Sequence, residues 1–124
     1  MKSEAPLVAI VDDDPRIAES LGDLLESAGY TVCTFGSANA LLENEQLRKI
    51  TCLVTDIDIP LIDGFELANL VHARRSDLPV IFITGKSEAA GQERIAGLAP
   101  GRFFRKPFDS RALLTAIAAS VAQA

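Results

Sequence analysis

A chain of 124 residues is long enough for one ordinary domain and too short for a second, and size scaling lets about two thirds of its unfolded surface be buried. With 48% hydrophobic and 23% charged residues, eight Gly and six Pro, the composition is that of a globular domain and excludes a disordered or collagen-like chain. A net charge of -5 speaks against direct binding of nucleic acid, two cysteines are too few for a disulfide scaffold, and no apolar run approaches the ~20 residues of a membrane span.

In chain order, Leu7–Val11 is a short apolar run and reads as the first strand, with Asp12, Asp13 and Asp14 at its carboxyl end. Asp14 before Pro15 has the chemistry of a helix N-cap. Ile17, Leu21, Leu24, Leu25 and Ala28 then share one helical face, and Gly29 is the stop signal. Thr31–Phe35 is the second strand, and Ser37 caps a second helix carrying Leu41 and Leu42. Residues 52–55 make the third strand, ended by Asp56 with Asp58 two positions on. Asp63 caps a third helix carrying Phe65, Ala68 and Val71, with His72 on its exposed side.

Residues 80–83 form the fourth strand, ending in Thr84-Gly85. A fourth helical segment, residues 88–97, is weak because Gly91 and Gly97 each cost about 1 kcal/mol relative to Ala. Residues 103–104 form a short fifth strand, followed by Arg105-Lys106-Pro107-Phe108. Asp109 caps the last helix, whose inner face is Leu113, Leu114, Ile117 and Val121. Cys33 and Cys52 lie in apolar segments and read as buried free thiols. The five-fold strand–helix alternation predicts an α/β fold, a doubly wound five-stranded parallel sheet with five helices.

In such a sheet the chemistry sits beyond the carboxyl ends of the strands. Asp12 and Asp13 are like charges at a sheet edge, which repel unless a cation lies between them. Clustered carboxylate oxygens suit Mg²⁺; zinc would need His and Cys, and His72 is the only histidine. Thr84 and Lys106 bring a hydroxyl and an ammonium to the same crevice, which is what a transferred phosphoryl group needs. Asp56 is then the nucleophile, forming an acyl phosphate.

Val11-Asp12-Asp13, Leu53-Val54-Thr55-Asp56, Ile59-Pro60 with Asp63-Gly64, Ile83-Thr84-Gly85 and Lys106-Pro107-Phe108 together resemble the receiver domain of two-component response regulators, in the right order. The resemblance implies one receiver domain over residues 1–124, with its core at about 7–121, and the flavodoxin-like strand order 2-1-3-4-5. It implies that Asp56 is the phosphoacceptor, and that Asp12, Asp13, Asp56 and the main-chain carbonyl of Asp58 hold Mg²⁺. Thr84 would be the switch hydroxyl, Lys106 the phosphate partner, and Phe103 the aromatic that changes rotamer with Thr84. Asp13 is the expected direct ligand, with Asp12 acting through water.

The implied function is a phosphorylation-activated switch, loaded by a histidine kinase's phosphohistidine. The fourth helical segment, fifth strand and last helix would then change to control an output DNA-binding domain or a downstream protein. A phosphorylation-dependent homodimer and a cytoplasmic location, with no direct nucleic-acid or membrane contact, belong to the same expectation. The chain would be no enzyme beyond self-catalysed phosphoryl transfer and dephosphorylation. Two alternatives stand beside it: a protein-binding receiver that is never phosphorylated, and a haloacid-dehalogenase-like phosphatase suggested by Asp56-Ile57-Asp58. The chain departs from the family pattern at Asp58, acidic where many relatives are neutral or basic, at Ala99-Pro100, and at Gly91 and Gly97. The side chain of Asp58 is expected at the mouth of the pocket.

Overall fold

Strands covered by helices on both faces are apolar throughout, because neither side reaches water. Such runs build the three central strands of the sheet in the computed structural model, which describes residues 6–85, 102–106 and 108–123, while the two edge strands keep exposed residues. Strands β1 (Leu7–Val11), β2 (Thr31–Phe35), β3 (Cys52–Asp56), β4 (Val80–Thr84) and β5 (Phe103–Arg105) pair in parallel in the order β2-β1-β3-β4-β5. Helices α1 (Pro15–Ser27), α2 (Ala38–Leu42), α3 (Gly64–Arg74) and α4 (Ser110–Gln123) connect or follow them, with a 3₁₀ turn at Glu45–Arg48. Among the described residues there are thus four α-helices; the expected helical segment at 88–97 lies outside them.

The helix starts follow from local chemistry. The Asp14, Ser37, Asp63 and Asp109 side chains accept the backbone N–H of Arg16 (3.0 Å), Ala40 (3.1 Å), Glu66 (2.8 Å) and Arg111 (2.9 Å). Each such cap is worth about 1 kcal/mol. Gly29 closes α1 at φ +99°, a conformation that side chains with a Cβ disfavour.

Alternate residues of a strand point to opposite faces. Val8 and Ile10 therefore pack with Leu25 of α1 and Leu113 and Ile117 of α4, while Ala9 and Val11 pack on the other side with Leu41, Phe65 and Val71. Cys52 is buried, and burial pushes its thiol up to about 12. Cys33 is only half-buried, which corrects the expectation for it: β2 is an edge strand and lacks a neighbour on one side.

Three strands run one residue further than their apolar runs, to Asp56, Thr84 and Arg105. Ladder pairing is a backbone property, so it continues past the last aliphatic side chain: Asp56 pairs with Ile83, and Thr84 with Arg105. Asp56 and Thr84 are consequently held by the sheet itself.

Candidate phosphoryl-transfer site

The winding reverses around β1, and the polar residues converge just beyond its carboxyl end and that of β3. Asp12 follows β1, donates its N–H to the Phe35 carbonyl at 3.1 Å and is 3% exposed. Its Oδ1 accepts the Asp14 N–H at 2.9 Å, and its Oδ2 lies 3.3 Å from Lys106 Nζ. Asp56 is also buried; its Oδ1 accepts the Asp58 N–H at 3.0 Å, and its Oδ2 lies 3.5 Å from the same ammonium. Lys106 is placed by its own N–H, which extends the β4–β5 ladder by donating to the Thr84 carbonyl at 2.7 Å.

One carboxylate oxygen from each of Asp12, Asp13 and Asp56 lies within 4.8 Å of the others, with Asp13 exposed. The donors are hard oxygens with one open side, which fits a Mg²⁺-sized cation that keeps part of its water and does not fit zinc. A cleft of about 480 Å³ opens beside Asp12 and Asp13, bounded by Glu19 of α1 and Phe35 of β2.

Burial pushes the Asp56 carboxyl above the usual aspartate range. The Asp58 N–H and Lys106 oppose that rise, and the Asp12 and Asp58 carboxylates add to it. Burial also works against the Lys106 ammonium, but Asp56 and Asp12 outweigh it and hold its pKa above the ordinary lysine value. The pair is lopsided because the ammonium meets two carboxylates, whereas Asp56 has like charges as well as an opposite one. Lys106 stays charged, and Asp56 is a carboxylate whose negative charge is poorly compensated.

Thr84 is buried, and its hydroxyl donates to Asp58 Oδ2 at 2.7 Å. The expectation that the Asp58 side chain stands at the pocket mouth is therefore corrected: it is half-buried and turned onto β4. The sequence singles out Asp58 for its acidity, but the partner of its carboxylate lies 26 positions away and has no local signal. Phe103 is half-buried on the face of the sheet that Thr84 shares with Phe82, and the Arg105 guanidinium carbon lies 6.0 Å from its ring centroid. His72 is exposed as expected, with Nε2 2.8 Å from the Leu78 carbonyl, away from the acidic cluster.

The loop from β3 to α3 carries a strained residue. Leu61 has φ +72° and is 93% exposed, and Ile62 N–H donates to the Pro60 carbonyl at 2.8 Å, closing a three-residue γ-turn around it. A left-handed Leu costs roughly 1–2 kcal/mol, and glycine's extra freedom in the unfolded chain returns part of that. Leu61→Gly is expected to stabilise the fold by about 1 kcal/mol in urea denaturation. An unchanged or lower midpoint would contradict the strain.

The profile of the response regulator receiver domain matches residues 8–118. The chain is 37% identical over 114 residues to the transcriptional regulatory protein FixJ of Azorhizobium caulinodans, an alignment covering 92% of this chain and 54% of FixJ. It is 30% identical over 121 residues to the response regulator protein TodT of Pseudomonas putida, covering 98% of this chain and 53% of TodT. The chain thus spans about half the length of these curated relatives. A CheY-like response regulator receiver domain from Methanospirillum hungatei superposes with a TM-score of 0.82 at 28% identity, over 97% of this chain and 96% of that one. With a family profile spanning nearly all of the sheet and helices described above, the chain belongs to the response regulator receiver domain family.

Proposed function

We propose that this domain is a phosphorylation-activated signalling switch in which Asp56 accepts a phosphoryl group from the phosphohistidine of a histidine kinase. A carboxylate oxygen of Asp56 forms the bond to phosphorus as the N–P bond breaks. The electron pair of that bond goes to the imidazole nitrogen, which takes a proton from solvent, and Asp56 becomes an acyl phosphate. The observation that carries this reading is the buried Asp56 carboxylate beside Lys106, 3.5 Å away, within a cluster of carboxylates at a sheet's carboxyl edge.

Asp12, Asp13, Asp56 and the main-chain carbonyl of Asp58 would hold Mg²⁺, which when bound would neutralise charge on the phosphoryl oxygens. Lys106, kept charged by its two carboxylates, neutralises another phosphoryl oxygen. Thr84 donates its hydroxyl to the loaded group, and Phe103 moves with it, so the surface formed by β5 and α4 changes. That surface addresses an output DNA-binding domain or a downstream protein in the cytoplasm, and can pair two phosphorylated copies. That its relatives FixJ and TodT are a transcriptional regulatory protein and a response regulator supports this reading. The domain is a phosphoacceptor and transfers phosphoryl groups only to and from itself.

Incubation with a small acyl phosphate donor and Mg²⁺, followed by intact-mass spectrometry, tests the reading. One phosphoryl group, labile to base, is the expected result; no uptake, or a base-stable adduct, overturns it and favours a receiver that works unphosphorylated. A companion experiment concerns the cation. Asp13 is exposed, so Asp13→Ala leaves the core intact and is expected to weaken Mg²⁺ at least about tenfold in calorimetric titration. Unchanged affinity would remove Asp13 from the ligand set.

A further inference from the structure

A buried hydroxyl needs a hydrogen-bond partner, because leaving it unsatisfied costs its full desolvation. Thr84, 5% exposed at the end of β4, donates to Asp58 Oδ2 at 2.7 Å. A carboxylate acceptor makes this a charge-assisted bond, roughly twice as strong as a neutral one. Asp58 is itself anchored, since its N–H donates to Asp56 Oδ1 at 3.0 Å. The residue therefore bridges the end of β3 to the end of β4, with its backbone on Asp56 and its side chain on Thr84.

Resting on the phosphoacceptor reading, we propose that Asp58 is a positioning residue whose carboxylate latches the Thr84 hydroxyl in the unphosphorylated domain and competes with the phosphoryl oxygens for it. A hydroxyl has one proton to donate, so Thr84 cannot serve Asp58 and the phosphoryl group at once. Switching then requires exchange of one charge-assisted bond for another, and the Asp58 carboxylate biases the equilibrium toward the unswitched state. This is separate from simple repulsion between Asp58 and an incoming anion, which would act whether or not Thr84 carried a hydroxyl.

The probe is beryllofluoride with Mg²⁺, an analogue of the phosphoryl group, titrated into wild type, Asp58→Ala, Asp58→Asn and each of these in a Thr84→Ala background. Loss of the latch is expected to tighten binding by about tenfold more with Thr84 present than in the Thr84→Ala background. Asp58→Asn, whose amide oxygen still accepts the hydroxyl, should gain less than Asp58→Ala. In the unmodified protein, three-bond NMR couplings should show Thr84 side-chain rotamer populations that differ between wild type and Asp58→Ala. Equal gains in the two backgrounds, equal gains for the Ala and Asn substitutions, or a Thr84 rotamer indifferent to Asp58 would each overturn the latch alone. Wild-type protein that neither binds beryllofluoride nor takes up a phosphoryl group overturns the phosphoacceptor reading, and the latch with it.

Discussion

Asp56→Asn is expected to take up no phosphoryl group from a small donor and, without Mg²⁺, to be more stable than wild type at pH 7. The first effect is chemical, since an amide does not supply the nucleophilic oxygen of a carboxylate. The second follows from linkage. Burial raises the Asp56 pKa above its ordinary value of 3.8, so the folded state holds this proton more tightly than the unfolded chain does. Its contribution to stability is complete below pH 3.8 and is lost as pH rises through the raised folded value. The neutral amide suffers no such loss, and Lys106 keeps Asp12 as a partner at 3.3 Å. Thermal melts in chelator should therefore show the two proteins converging at acid pH and the variant melting higher at neutral pH. A variant that melts lower at pH 7, or that still carries a base-labile phosphoryl group, would contradict the assignment of Asp56.

Gly64→Ala is expected to destabilise the fold by about 2 kcal/mol, a fall of roughly 8 °C in Tm, and to weaken Mg²⁺ binding as well. Gly64 begins α3, and a Cβ there would sit 2.7 Å from the Asp56 carbonyl oxygen and 2.8 Å from the Ile57 Cα. Both obstacles are backbone, so neither can swing aside as a side chain end would. The Gly64 N–H also donates to the Ile57 carbonyl at 2.9 Å, tying the start of α3 to the strand end that carries Asp56. Relieving the clash must move α3 or the Asp56–Asp58 backbone, and the site shifts with it. Gly36→Ala is the control: no atom lies within 4 Å of its Cβ position, and its stability should change by less than about 0.5 kcal/mol. Equal melting temperatures for Gly64→Ala and wild type would mean that this close approach is absent in solution.

What was legible in the chain was whatever is encoded locally. Asp14, Ser37, Asp63 and Asp109 were readable as caps because each bonds a backbone N–H two or three residues on. The central strands β1, β3 and β4 were readable because strands covered on both faces are apolar nearly throughout, and the edge strands β2 and β5 because short runs of β-branched and aromatic residues stand between turn signals. Given that parallel strands end at one edge, the convergence of Asp12, Asp13 and Asp56 was also readable, while the order of the strands came from the family resemblance. What tertiary structure alone decided depends on distant pairs. Lys106 meets Asp12 across 94 positions, and the Asp58 carboxylate meets Thr84 across 26. The half-burial of Cys33 depends on β2 standing at the sheet edge, and the role of Gly64 depends on how closely α3 approaches β3. Capping and apolar periodicity are energies between residues a few positions apart, whereas the direction of a polar side chain is set by which distant partner the packed sheet brings within about 3 Å of it.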